Sequence, residues 1–247
     1  MIVKIDIPHF ICLLCMAAVV IASLGCVQPE GEKPGPLQSE NQSVPLGDAK
    51  YVNAQVTMGV GKLNLEGGAK DLMDANFLYN LPSWKPEVSY TVTNGVGDLK
   101  VQQPTSSSKS FSNNTQYEWN IRLNNDVPID LRTILGAGDG NLKLGGMSLM
   151  GLKVQSGAGN TTLDFSGIWK RNLNASVEAG SGDLSIIVPQ YTGTMVTVSQ
   201  GIGSVIVGSG LKSQGDAYVN EAYGKTAVTL NISVKTGIGK TRLMVSP

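Results

Sequence analysis

Asp139 and Asp183, with Asn160 between them, are the residues of this 247-residue sequence whose types and spacing could do chemistry. Each directly follows a Gly-x-Gly triplet, at Gly136-Ala137-Gly138, Gly157-Ala158-Gly159 and Gly180-Ser181-Gly182. Ser204 follows the next triplet, and Asp98 stands in the same role earlier. A chain that repeated at this period would stack these residues in one row. Stacked strands lie about 4.8 Å apart, so Asp139 and Asp183, two repeats apart, would be held about 9–10 Å apart, near the carboxylate separation of inverting glycoside hydrolases. The same residues have a plainer use, because Asp and Asn after a tight turn hydrogen-bond the nearby backbone. That is the expected role, since corner positions are solvated and a general acid needs burial to raise its pKa. A calcium ladder would need Gly-Gly-x-Gly-x-Asp nonapeptides, which are absent.

Inventory removes most other chemistry. The one histidine is His9, and the three cysteines are Cys12, Cys15 and Cys26. The body of the chain therefore lacks imidazole and thiol, which excludes Ser-His-Asp and Cys-His catalysis, structural zinc, haem ligation and disulfides. No metal, no cofactor and no enzymatic activity are expected. With 19 basic and 19 acidic residues the chain is formally neutral, which argues against nucleic acid as a partner and against adhesion to membranes by a basic patch.

Two binding features remain. Phe77, Tyr79 and Trp84 could form an aromatic platform for a glycan, or a hydrophobic plug that closes the open end of a repeat structure. Asn41, Asn113, Asn160, Asn174 and Asn231 each begin an Asn-x-Ser/Thr triplet, and Asn113 lies best exposed in a polar stretch.

The elements that must position these residues are short strands joined at glycine corners. Gly-x-Gly recurs at Gly59/Gly61, Gly95/Gly97, Gly136/Gly138, Gly157/Gly159, Gly180/Gly182, Gly201/Gly203 and Gly237/Gly239. The four central copies are separated by 21, 23 and 21 residues. Alternating apolar and polar residues flank most copies, as in Val196-Thr197-Val198 and Leu184-Ser185-Ile186, so the pattern reads strand, corner, strand. The flanking glycines, such as Gly157 and Gly201, are expected to supply positive φ or a close backbone approach. A repeat of this length fits one coil of a β-solenoid, while a sandwich of plain hairpins would not require so regular a corner. Within Glu66 to Glu87, residues Ala69 to Ala75 suit a short helix and Asn76 to Asn80 a strand. The expected domains are a module over 49–104, a polar surface loop over 105–118, and solenoid repeats over 119–247.

The N-terminus reads as an export signal over 1–25: Lys4, an apolar run from Phe10 to Leu24, and Gly25-Cys26. The segment Ser23-Leu24-Gly25-Cys26 resembles a lipobox, with Cys26 as the lipidated residue. The alternative is an uncleaved signal anchor. Residues 26–48, rich in proline and polar residues, read as a disordered tether. The body is thus expected at the outer face of the cell membrane or cell surface.

Met58 to Leu65, Ala75 to Asn80, Trp84 to Tyr90 and Gly95 to Leu99 together resemble the toast-rack family, which includes the C-terminal domain of LiaF-type envelope-stress proteins and adhesin-like β-helix proteins. The resemblance covers about residues 50–247. It implies an all-β, single-stranded β-solenoid, right-handed and β-helix-like, at the cell envelope and brings no catalytic residue with it. Three functions follow as expectations: a surface-anchored structural or adhesin-like module meeting an envelope protein or glycan, an envelope-stress regulator contacting a membrane sensor kinase, and a glycan-active enzyme built on the aspartate row. LiaF-type proteins carry several membrane spans before this domain, whereas this chain has one apolar segment.

Overall fold

The computed structural model describes residues 32–105 and 114–247. The expectations for residues 1–25, Cys26 and Asn113 fall outside the described residues. From Lys33 onward the chain forms one unit, almost entirely of strand. In chain order the strands are β1 (Gln38–Val44), β2 (Tyr51–Ala69), β3 (Met73–Tyr79), β4 (Glu87–Thr93), β5 (Val96–Gln102), β6 (Tyr117–Asn124), β7 (Ile129–Lys143) and β8 (Leu149–Ala158). They continue with β9 (Thr161–Asp164), β10 (Leu173–Ser181), β11 (Leu184–Val188), β12 (Gly193–Val207), β13 (Leu211–Gln214), β14 (Ala217–Asn220) and β15 (Thr229–Val245).

Each coil is a strand, a Gly-x-Gly corner and a second strand, and the core lies between the two sheet faces so formed. The apolar pattern shows why. In β2 the buried residues are Val52, Ala54, Val56 and Met58, and after the corner they are Leu63, Leu65 and Ala69. Burial jumps from even to odd positions across Gly59-Val60-Gly61. β15 makes the same jump, from Leu230, Ile232 and Val234 to Thr241 and Leu243. Strand side chains alternate with period two, so a corner that turns the chain onto the opposite face must shift the phase by one to keep apolar residues inside.

The two glycines of a corner do different jobs. The second has φ between 118° and 142° at Gly61, Gly138, Gly159, Gly182, Gly203 and Gly239, a region other residues rarely enter. The first has no positive φ; at Gly157 and Gly201 the requirement is space, because a Cβ would collide with the carbonyl oxygen of Gly136 or Gly237 in the next coil. Of the two uses expected of these first glycines, positive φ or close backbone approach, they have the close approach alone.

The same contacts give the order of the column: Gly59/61, Gly136/138, Gly157/159, Gly180/182, Gly237/239, Gly201/203. The last two are inverted relative to the sequence, because β15 enters in parallel between β10/β11 and β12. Gly95 and Gly97 leave the column altogether. Asn94 (φ 52°) and Gly95 (φ 78°) make a tight hairpin turn joining antiparallel β4 and β5, and Gly97 lies within β5 where a Cβ would stand 2.6 Å from the Tyr90 hydroxyl.

Three further expectations are corrected. Residues 38–44, assigned to the tether, form β1, which pairs antiparallel with β3. Backbone pairing holds this polar strand in place, so its poverty in apolar residues was no bar. Ala69 to Ala75 forms no helix: β2 runs to Ala69 and β3 starts at Met73, with Met73, Ala75, Phe77 and Tyr79 buried at period two. The expected seam between residues 49–104 and 119–247 is bridged, since β2 pairs with β6 and β7 along its length, and Tyr117-Glu118 of the expected loop already belongs to β6.

Candidate functional site

The aspartate row is built as the spacing requires, but it is tied into the backbone. Asp139 Oδ1 accepts the Asn160 amide at 3.1 Å, Asn160 Oδ1 accepts the Asp183 amide at 3.1 Å, and Asp183 Oδ1 accepts the Lys240 amide at 3.0 Å. Each side chain thus pins the next coil. Asp183 also receives the Arg242 guanidinium at 2.9 Å, which holds its carboxyl below the ordinary range, with help from the Lys240 amide. An acid held ionised cannot serve as a proton donor. Ser204 lies beyond Lys240 in the row, and Asp98 is elsewhere, accepting from Asn53 Nδ2 at 2.9 Å.

The aromatic platform is not a surface. Phe77 and Trp84 are at most 1% exposed and Tyr79 is 4% exposed. They close the N-terminal end of the core, where Phe77 meets Trp119 edge-on at 5.5 Å and Trp84 meets Tyr117 at 5.1 Å. Burial raises the Tyr117 phenol above its ordinary pKa. The Tyr79 hydroxyl donates to Glu40 at 3.1 Å and Lys85 Nζ sits 3.0 Å from the same carboxylate, so β1 is fastened over this end.

A polar track crosses the outer face of one sheet. Register places Asn41 beside Asn76, Asn76 beside Asn120, Asn120 beside Asn64, and Asn64 beside Asn141. Thr162 and Ser185 continue the row on β9 and β11, and it ends at Arg242. Seven neighbouring strands thus present only neutral carboxamides and hydroxyls over about 29 Å of six strand spacings. The asparagine portion lines a groove of about 780 Å3.

Charges flank this track in alternation. On one side run Asp74, Arg122, Glu66, Lys143 and Asp164; on the other Glu118, Lys62 and Asp139. Six of the eight pair across strands, Arg122 with Asp74 at 3.9 Å, Lys143 with Glu66 at 3.6 Å and Lys62 with Glu118 at 3.6 Å, while Asp139 and Asp164 each accept a backbone amide. The carboxamides are half used. Asn76 Nδ2 donates to Asn41 at 2.8 Å and to Ser39 at 3.0 Å, and Asn64 Nδ2 donates to Asn120 at 2.8 Å and to Glu118 at 2.9 Å.

Sequence reasoning missed this track. Asn64 and Asn141 each stand three residues after the second glycine of a corner, as do Thr162 and Ser185, a column visible in the sequence. Asn41, Asn76 and Asn120 sit on strands without corners, and only the pairing of β1, β3 and β6 brings them into line. No group of three or more His, Cys, Asp or Glu that could hold a metal occurs among the described residues.

The family model for the N-terminal domain of toast_rack, DUF2154, matches residues 33–187. The structure of a "putative cell adhesion protein" from Clostridium sporogenes ATCC 15579 is 30% identical, aligns over 85% of this chain and 100% of that chain, and has a TM-score of 0.77. A "putative adhesin" from Bacteroides fragilis NCTC 9343 aligns over 85% of this chain and 97% of that chain at 15% identity, with a TM-score of 0.35 that is too low to bear on the fold. No curated protein matches the chain. With its corner glycines stacked into a β-solenoid, its family match over residues 33–187 and a relative spanned from end to end, this chain belongs to the toast-rack family.

Proposed function

We propose that this protein is an exported, membrane-tethered binding module of the cell surface, working by adhesion and catalysing no reaction. The observation that carries this reading is the neutral track on an open sheet face, bounded by charges most of which are paired across the strands. The aspartates that could have formed a hydrolytic pair hold backbone amides instead. The Clostridium sporogenes relative, named for cell adhesion, supports the reading. Tethering rests on the apolar run from Phe10 to Leu24 and on Cys26 as the lipidated residue.

The test compares cells that carry the full chain, cells that lack it and cells that carry Cys26→Ser. Wild-type cells should adhere to one another or to a glycan-coated surface more than cells without the protein. Cys26→Ser should leave the precursor larger and unlipidated. Equal adhesion by all three strains would remove the functional reading, and an intact mass that still includes residues 1–25 in the wild type would replace the lipid anchor with a signal anchor.

A further inference from the structure

We infer that the track from Asn41 to Ser185 binds a neutral, linear glycan laid across the strands. This rests on the adhesive reading and gives that surface a ligand class. Three observations carry it.

The first is unused hydrogen-bonding capacity. Among the described residues, Asn41 and Asn120 keep both amide hydrogens, Asn76 and Asn64 keep a carbonyl oxygen, and Asn141 keeps its whole carboxamide. A ladder serving only to staple strands would link every neighbour, yet no side-chain bond joins Asn76 to Asn120 or Asn64 to Asn141. Donors and acceptors therefore alternate along the groove. Sugar hydroxyls, which both donate and accept, match that alternation, whereas a phosphate or sulfate polymer would only accept.

The second is charge. Six of the eight flanking charges are paired across the strands, and the two left over, Asp139 and Asp164, are acidic, so a polyanion gains no partner. A neutral polymer meets no such penalty, and the charged side chains at the edges can still reach its hydroxyls.

The third is shape. The groove is open along its length, and the row runs for about 29 Å, so it suits an extended chain rather than a compact ligand. It has no exposed aromatic to stack on a sugar ring, so affinity must come from many modest hydrogen bonds. Such a surface gains from ligand length.

The test uses the detergent-solubilised full chain and isothermal titration with cello-, chito-, xylo- and manno-oligosaccharide hexamers, with heparin as the anionic control. At least one neutral hexamer should bind more tightly than its own dimer, and heparin should not compete. Asn64→Leu and Asn141→Leu should each weaken binding by about tenfold, the equivalent of one or two lost hydrogen bonds. Asn141 makes no side-chain bond, so its variant tests the track without disturbing the fold. Asp183→Asn, outside the track, should leave binding unchanged. Binding to none of the neutral hexamers, or equal binding by both leucine variants, overturns the assignment. If cells adhere while no hexamer binds, adhesion stands and the glycan assignment falls. If hexamers bind through the track while cells do not adhere, the ligand class stands and the adhesive role falls.

Discussion

Gly237 stacks directly on Gly180: the carbonyl oxygen of Gly180 occupies the space that a Cβ on Gly237 would take. The two residues are 57 positions apart in sequence, yet they occupy successive coils. The second glycines are more constrained still, because Gly239 faces the carbonyl of Gly182 and also has φ 142°. Gly239→Ala should therefore destabilise the protein by about 2–6 kcal/mol, from a backbone strain of about 1–3 and an overpacking cost of about 1–3. Gly237→Ala should cost about 1–3 kcal/mol from overpacking alone. Gly146 provides the contrast: its φ is 80°, but nothing lies within 4 Å of its Cβ position, so Gly146→Ala should cost only about 1–2 kcal/mol. Thermal melting of the three variants checks the order. A Gly239→Ala variant no less stable than Gly146→Ala would show that the column is not tightly stacked.

The column was legible in the sequence and its order was not. The shift of burial from Val52–Met58 to Leu63–Leu65 across a Gly-x-Gly triplet is a pattern any reader of the sequence can find. That Gly201 lies beyond Gly237 cannot be found there, because every corner presents the same bare backbone and any coil can stack on any other. Tertiary routing decides it: the β13–β14 hairpin pairs with β12 over Met195–Thr197 only, and β15 returns to fill the place between β10 and β12. β1 was unreadable for a related reason. Its sequence, Gln-Ser-Glu-Asn-Gln-Ser-Val, buries almost nothing, and a strand held by its ladder leaves little signal in composition.

The aromatic end of the molecule should behave as core. Trp119 and Phe77 are fully buried and in contact, so Trp119→Ala or Phe77→Ala should cost about 3–5 kcal/mol. Tyr191, which is 82% exposed, should be replaceable by alanine with a change below about 0.5 kcal/mol. Chemical denaturation of the three variants measures this directly. If Phe77→Ala left stability intact while abolishing adhesion, the buried cluster would have to open to meet a ligand.

Asp183 should stabilise the fold and do no chemistry. Its carboxyl is held below the ordinary value of 3.8 by the hydrogen bond from Arg242 and then by the Lys240 amide. A carboxyl with a depressed folded pKa contributes stability that is fully present above the unfolded value and disappears as pH falls through the folded one. Melting temperature should therefore fall as pH drops below about 4. In Asp183→Asn that fall should be shallower and the neutral-pH melting temperature slightly lower, because the amide oxygen can still accept from Lys240 but no longer attracts Arg242. The effect is modest, since both side chains are more than a third exposed and water screens the pair. The same ionised state bars Asp183 from acting as a general acid, and Asp139 is committed to the Asn160 amide. The full chain should accordingly release no reducing ends from neutral or acidic polysaccharides at any pH from 4 to 8, and Asp139→Asn and Asp183→Asn should match it. Turnover by the parent that vanished in both variants would make the row a catalytic pair. Turnover that persisted in both would place an active site elsewhere on the solenoid.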